Sequence, residues 1–241
     1  MTDVVVVETG TANLASVLAG LERAGARPRT CAGPLDVERA DRVVVPGVGT
    51  LASAMDRLVS SGLAEPLRGR VLAGKPTLCV CLGLQVLAAS SEESPGVAGL
   101  GVVAGTATRF ASGVRIPQIG WNMVEPAAGS RLIEPGHAYF ANSYKLDSIP
   151  QGWAGALADH GGPFVAALER GAVLACQFHP ELSGRWGLDL LQRWLSLGHA
   201  PGGSGASARG GAPRTRTIPG RVRSGPRRPS RGKTRRRGAP C

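Results

Sequence analysis

Two cysteines near the middle of the chain have the residue type and spacing that can do chemistry. Cys79 and Cys81 end the apolar run TLCVC, and Gly83 follows at the start of the helix-like stretch LGLQVLAAS. A sharp strand-to-helix turn presents one side chain at a helix start, where the dipole favours the reactive thiolate. The pattern predicts Cys81 as a nucleophile. The alternatives are two small core residues, or half of a metal or redox site.

Strand alternation assigns a different role to Cys79. Residues two apart in a strand lie on one face, so Cys79 is expected on the same face as Cys81, one pleat deeper. Helix–strand packing requires a small side chain there, and free cysteine is a common core residue. We therefore expect Cys79 to be structural.

A thiol nucleophile needs a base, and the segment CQFHPEL supplies one. His179 and Glu181 flank Pro180, and alternation lets both side chains lie on one side of the chain, so that the carboxylate can orient the imidazole. The other histidines have no such carboxylate and are predicted at the surface; they are His137, His160 and His199.

The turn PGVG, Pro46 to Gly49, follows another apolar strand. Its backbone N–H groups can face a developing oxyanion, as acyl transfer requires. An ordinary strand–helix turn explains the same letters equally well, so the local sequence leaves both interpretations open.

Strand, turn and helix alternate three times in the first 90 residues. DVVVVE, RVVVPGVG and TLCVC are apolar strands, and the first two precede helical faces formed by Leu14, Val17, Leu18 and Leu21 and by Leu51, Met55, Leu58 and Val59. This alternation predicts a parallel sheet covered on both faces, with chemistry at the carboxyl ends of its strands.

After about Gly96 the pattern changes to short strand-like runs separated by turn signals. These runs predict antiparallel strands added to the core sheet. A last amphipathic helix is predicted from Leu188 to Leu197, with Gly198 as its stop.

The positive charge is concentrated at one end of the chain. The whole sequence has 28 basic and 17 acidic residues, and 12 of the basic ones lie in 201–241, which has no acidic residue. That segment is rich in Gly, Pro, Ser and Arg, so we predict a domain over 1–198 and a disordered basic tail over 199–241. The tail is either an electrostatic arm for nucleic acid or an anionic surface, or a plain solvated extension.

The absence of membrane-spanning, secretory and cysteine-rich patterns predicts where the protein is located and whether it binds a metal. It has no run of about 18 apolar residues, and its start, MTDVVVVETG, has no basic flank typical of a secretory signal. A cytoplasmic protein is therefore expected. The five cysteines form neither an even set nor a paired zinc pattern, so neither a disulfide framework nor a zinc site is expected.

Together the motifs resemble a known family. Three motifs resemble those of the class I (triad) glutamine amidotransferases: C-L-G-x-Q after a strand, H-P-E about a hundred residues later, and P-G-V-G. Within that family, three longer segments resemble the glutaminase subunits of imidazole glycerol phosphate synthases: RIPQIGWN, YFANSYKL and CQFHPELSG. The resemblance covers about 4–197 and implies a flavodoxin-like α/β fold without metal or organic cofactor.

The resemblance also implies roles for single residues. Cys81 would attack the amide of L-glutamine, His179 would shuttle the proton and Glu181 would orient His179. The backbone N–H groups of Gly49 and Leu82 would bind the oxyanion. The remaining positions implied for the glutamine site are Val48, Gln85, Ser143 and Tyr144. The positions implied for the face toward a (β/α)₈-barrel cyclase subunit, with which the chain would form a heterodimer, are Asn13, Trp121, Tyr139 and Leu182.

Several positions depart from the family pattern. Glycine is usual where Cys79 stands, histidine is common at Asn142, and lysine is usual at Leu182, where its loss removes an ionic contact with the partner. Asp-Tyr is usual where Glu8-Thr9 stands, and the basic tail has no counterpart. None of these departures touches the triad.

The implied function is hydrolysis of glutamine to glutamate and ammonia, with ammonia passed to the cyclase subunit for imidazole glycerol phosphate formation in histidine biosynthesis. One alternative is a glutaminase serving another synthase, such as that for pyridoxal phosphate. A second, from a different class, is an inactive scaffold with a nucleic-acid-binding tail. Affinity for nucleic acid that falls steeply with salt and disappears with the tail would identify the second.

Truncation after Gly198 tests the domain boundary. The tail lacks residues able to bury apolar surface, so we expect its removal to leave the melting temperature nearly unchanged. Thermal unfolding of the two chains, followed by circular dichroism, measures this. A cooperative drop in melting temperature on truncation would show that the tail packs on the domain.

Overall fold

The computed structural model of the chain describes residues 1–10 and 13–197. Its strands are β1 Thr2–Val6, β2 Ala26–Thr30, β3 Val43–Gly47, β4 Thr77–Cys81, β5 Ser90–Ser91, β6 Thr106–Arg109, β7 Gln118–Pro126, β8 Gly136–Asn142, β9 Tyr144–Lys145, β10 Ala154–Asp159, β11 Pro163–Arg170 and β12 Val173–Cys176. Its helices are α1 Leu14–Arg23, α2 Pro34–Arg39, α3 Leu51–Ser60, α4 Ala64–Leu72, α5 Leu82–Leu87 and α6 Gly184–Ser196, and a 3₁₀ turn spans Pro180–Leu182. The predicted stop at Gly198 and the predicted tail lie outside the described residues.

One half of the central sheet is parallel, as predicted. β2, β1, β3, β4 and β12 are neighbours in this order, and every pairing among them is parallel. β3 and β4 are buried along their whole length because apolar clusters cover both faces. Their carboxyl ends lie side by side, with Gly47 opposite Cys81.

The other half of the sheet is antiparallel. β12 is followed by β11, β10, β7 and β8, each paired antiparallel to its neighbour. A small second sheet is formed by β5, β6 and β9. The predicted α/β fold, a mostly parallel core with antiparallel additions, is confirmed.

The helices differ from the sequence predictions in a few places. Val59 was predicted on the buried face of α3 but is 64% exposed, because it lies at the edge of the stripe formed by Leu51, Met55 and Leu58. Helix α6 begins at Gly184 rather than Leu188, directly after the 3₁₀ turn. β2, α2 and α4 were not predicted. β2 has the polar sequence ARPRT, which lacks the apolar run that marked the other strands.

Helix α5 packs directly on the carboxyl end of β3. A Cβ atom on Gly83 would lie 2.2 Å from the carbonyl oxygen of Val45, and one on Gly47 would lie 2.9 Å from Leu82 Cβ. Real side chains do not approach so closely, so glycine at both positions lets α5 start immediately after Cys81.

Replacement of Gly83 by alanine tests this close approach. We expect Gly83→Ala to lower the free energy of unfolding by about 1–3 kcal/mol, because the new methyl group forces α5 away from β3. Gly69→Ala is the matched control. Gly69 also lies within a helix, but its Cβ would meet nothing within 4 Å, so alanine should stabilise by about 0.5–1 kcal/mol. Equal effects of the two substitutions in urea unfolding would contradict the proposed packing constraint.

Candidate active site

Cys81 lies at a strained turn. Its backbone has φ 55° and ψ −108°, and among the described residues it is the one non-glycine residue with positive φ. It ends β4, and α5 begins at Leu82, so the predicted strand–turn–helix arrangement is confirmed. A residue with a Cβ atom keeps such a conformation only where its surroundings fix it, and such residues are concentrated at functional sites.

The prediction that Cys79 and Cys81 share a face is wrong. Cys79 is fully buried in the apolar cluster that contains Leu82 and Leu84, whereas Cys81 packs in the cluster on the other side of the sheet. The reason is the positive φ of Cys81, which breaks the alternation of side chains along β4. Burial raises the pKa of the Cys79 thiol to about 12, so this sulfur stays protonated.

His179 and Glu181 form a buried pair. The imidazole Nδ1 and the carboxylate Oε1 are 2.9 Å apart, and both side chains are less than a tenth exposed. The His179 backbone N–H donates to the Tyr139 carbonyl on β8, and the Ser183 hydroxyl donates to the His179 carbonyl. These bonds hold the segment between β12 and α6 that carries the pair.

The charge on His179 depends on its two neighbours. Burial alone lowers its pKa, but hydrogen bonds with Cys81 and Glu181, together with their charges, outweigh burial and raise the pKa to about 10. A protonated imidazole beside Cys81 favours the thiolate. Helix α5 has only six residues, so its dipole is a weaker source of that stabilisation than the imidazole.

The other described histidines are placed differently. His137 is exposed, as predicted. His160 is half-buried, in edge-to-face contact with Phe110, and its Nε2 lies 2.8 Å from the Arg115 carbonyl oxygen. His199 lies outside the described residues.

A cavity of about 310 Å³ opens beside Cys81 and His179. It is lined by every residue predicted for the glutamine site: Val48, Gly49, Leu82, Gln85, Ser143 and Tyr144. The fold thus brings together residues from the β3–α3 turn, from α5 and from the junction of β8 and β9.

Three further residues line the cavity and were not predicted for the site: Glu93, Ala141 and Asn142. Glu93 accepts a hydrogen bond from the Leu51 backbone N–H, and burial raises the pKa of its carboxyl group. It follows α5 in an irregular segment, where no motif marked it. Asn142 was noted only as a departure from the family pattern.

Two lining residues carry polar atoms without partners. Gln85 Oε1 and Asn142 Oδ1 are buried and accept no hydrogen bond within the described part of the chain. The Asn142 amide nitrogen, by contrast, donates to the Tyr144 carbonyl at 3.0 Å. A buried acceptor without a donor is costly, so these two oxygens destabilise the cavity wall unless a donor reaches them.

Apolar side chains are exposed near the 3₁₀ turn. Trp121 on β7 is 58% exposed and stacks edge-to-face on Tyr139, which pairs with it across the strands. Leu182 is 40% exposed, and Ile119, which was not predicted, is 62% exposed two residues before Trp121. Alternation in β7 places Ile119 and Trp121 on one face. Asn13 is exposed and caps α1 through Ser16 N–H.

Across residues 1–10 and 13–197, no group of His, Cys, Asp and Glu side chains is arranged to hold a metal ion, and no helix is long and apolar enough to cross a membrane. The cysteines at positions 31, 79, 81 and 176 are free thiols.

Comparison with known sequences gives close relatives. The family model for class-I glutamine amidotransferases matches residues 26–195. Imidazole glycerol phosphate synthase subunit HisH of Symbiobacterium thermophilum is 39% identical over 198 residues, which are 80% of this chain and 93% of that protein. Imidazole glycerol phosphate synthase hisHF, chloroplastic, of Arabidopsis thaliana is 39% identical over 201 residues, which are 80% of this chain and 34% of that protein.

Comparison with solved structures shows the same fold. A crystal structure of a glutamine amidotransferase aligns with a TM-score of 0.65 at 24% identity and covers 80% of this chain and 97% of that chain. PurLQS from Thermotoga maritima aligns with a TM-score of 0.63 at 16% identity, covering 81% of this chain and 99% of that chain. At these identities the solved structures show only that the fold is shared. Together with the family model and the relatives at 39% identity, they establish that the chain belongs to the class I glutamine amidotransferase family.

Proposed function

We propose that this chain is a glutaminase subunit that hydrolyses L-glutamine to glutamate and ammonia, with Cys81, His179 and Glu181 as its catalytic triad. The proposal rests on one observation: the strained Cys81 turn and the buried His179–Glu181 pair lie beside the same cavity. Such a combination is what acyl transfer through a thiol requires.

The proposed reaction has two stages. The Cys81 thiolate attacks the side-chain amide carbon of glutamine, and the backbone N–H groups of Gly49 and Leu82 bind the oxygen that becomes negative. His179 then gives a proton to the leaving nitrogen, and ammonia departs from a glutamyl thioester. In the second stage His179 takes a proton from water, which attacks the thioester and releases glutamate.

The polar lining of the cavity supports an amino acid as the substrate. The Glu93 carboxylate can pair with the α-ammonium group of glutamine. Gln85 and Asn142 add side-chain amides to the same lining. Asn142 stands where the family commonly has histidine, and its amide offers both an acceptor and a donor in that position.

We further propose that ammonia passes to a (β/α)₈-barrel cyclase subunit, in a cytoplasmic heterodimer with lyase activity that forms imidazole glycerol phosphate. The names of the relatives at 36–40% identity support this assignment. The segment matched in the Arabidopsis thaliana protein takes up about a third of its length, which leaves room for a second unit in that chain. The exposed apolar side chains of Ile119, Trp121 and Leu182 provide a surface for such a partner.

A glutaminase serving a different synthase uses the same triad chemistry. The exposed surface, and not the triad, therefore distinguishes the two alternatives. Purification of the chain with its natural partner, followed by identification of the barrel protein by mass spectrometry, decides between them. The scaffold alternative requires the triad geometry to be without function, and activity of the purified chain would rule it out.

Substitution of the two cysteines tests the catalytic assignment. Cys81→Ala should reduce glutamine-dependent product formation in the assembled complex by several orders of magnitude, because the nucleophile is lost. Product formation from high concentrations of an ammonium salt should survive, since ammonia bypasses the glutaminase site. Steady-state assays with each nitrogen source measure both effects.

Cys79→Ala is the matched control, because it removes a second thiol from the same strand. It should keep glutamine-dependent activity and lower the free energy of unfolding by about 1 kcal/mol, since its sulfur only fills space. Loss of activity in Cys79→Ala together with activity in Cys81→Ala would refute the assignment.

Substitution of Trp121 tests the docking surface. An exposed tryptophan at the centre of an interface contributes strongly, so Trp121→Ala should weaken binding to the barrel subunit by about 1–3 kcal/mol without changing thermal stability. Leu72→Ala is the control, because Leu72 is also about half exposed but belongs to α4. Isothermal titration calorimetry compares the two. Equal affinities of both variants and the wild type would place the interface elsewhere.

A further inference from the structure

A buried glutamine next to Cys81 has no role in the proposed reaction. Gln177 follows β12, two residues before His179, and is fully buried. Its Nε2 lies 3.8 Å from Cys81 Sγ, within hydrogen-bonding distance for sulfur. Its backbone N–H donates to the Ala166 carbonyl, which fixes the residue against β11.

The other end of the same side chain is unsatisfied. Gln177 Oε1 is buried and accepts no hydrogen bond from any described residue. Burial of an amide with an unpaired oxygen is unfavourable, and an apolar side chain of similar length would fill the space without that cost. The contact that the amide does make is with the sulfur, and an N–H group there is favourable for a thiolate.

We propose that Gln177 is a positioning residue that donates a hydrogen bond from Nε2 to Cys81 Sγ, orients the sulfur at the strained turn and stabilises its thiolate form. The proposal rests on the proposed function insofar as Cys81 is taken as the nucleophile. The structural claim itself concerns only the state of the thiol, which can be measured without substrate or partner.

Gln177 acts alongside stronger influences. Within the described residues, the titratable groups near Cys81 are His179, Glu181, Glu93, Tyr144, Cys79 and Cys176. Cys79 and Cys176 are fully buried, and burial raises the pKa of both, so they carry no charge near neutral pH. His179 is the one cation in this set, and the neutral amide of Gln177 therefore supplies a smaller share of the stabilisation than the imidazole does.

The test is the pH dependence of alkylation of Cys81 by iodoacetamide in the full chain, with the modified peptide followed by mass spectrometry. Gln177→Met keeps the size of the side chain and removes the donor. Its alkylation midpoint should lie about 0.5–1 pH unit above that of the wild type. Cys31, half-buried and distant in sequence, serves as an internal control whose alkylation should not change.

Thr77→Val is a control for the loss of a buried polar group. Thr77 is fully buried at the opposite end of β4, and its hydroxyl donates to the Lys75 carbonyl. Thr77→Val removes this buried hydrogen bond and should lower stability, but it should leave the Cys81 alkylation midpoint unchanged. If Gln177 has a purely structural role, the Cys81 alkylation midpoint should be unchanged in both Gln177→Met and Thr77→Val.

Gln177→Glu provides a second variant if methionine prevents folding. An ionised carboxylate facing the sulfur should raise the midpoint by more than methionine does. An unchanged midpoint in the folded variants would overturn the proposal, and a lowered midpoint would show that the amide oxygen faces the sulfur. Neither result tests the catalytic triad. The proposed function would be contradicted by a different result, namely glutamine-dependent activity in Cys81→Ala.

Discussion

A backbone with positive φ costs a residue with a Cβ atom about 1–3 kcal/mol of free energy. Cys81 keeps this conformation because the elements packed around it fix the backbone at the turn. Parallel pairing holds β4 between β3 and β12 up to the turn. Glycine at positions 47 and 83 then allows α5 to pack on the end of β3. The result is a sulfur turned away from its strand and toward the cavity, while Cys79 remains in the core.

The proposed base depends on a different part of the fold. His179 and Glu181 lie between the last parallel strand and α6, where burial alone would favour a neutral imidazole. The thiol on one side and the carboxylate on the other reverse that preference, because each interacts with the charged form. Hydrogen bonds from His179 to Tyr139, and from Tyr139 N–H to the Ser183 hydroxyl, connect this segment to β8. The antiparallel half of the sheet therefore helps to position the proposed base, and the parallel half positions the proposed nucleophile.

The cavity lies beside both the Cys81 turn and His179. It is lined by residues of the β3–α3 turn, of α5, of the turn after β5 and of the segment from the end of β8 to the start of β9. Tyr139 also stacks on Trp121, so the strand that anchors the base carries part of the exposed aromatic surface. The proposed docking surface and the candidate active site thus both involve β8.

The sequence by itself determined the alternation of apolar strands and helices, the turn at Cys81 and the pairing of His179 with Glu181, because each depends on residues close together in the chain. Through motifs that resemble those of a known family, it predicted six more residues that line the cavity beside Cys81 and His179. It did not determine that Cys79 and Cys81 face opposite sides, that Glu93 enters the cavity, or that Gln177 reaches the sulfur. Only the tertiary structure decided these, because they depend on a strained dihedral angle and on contacts between segments as far apart as 96 positions, which no local pattern encodes.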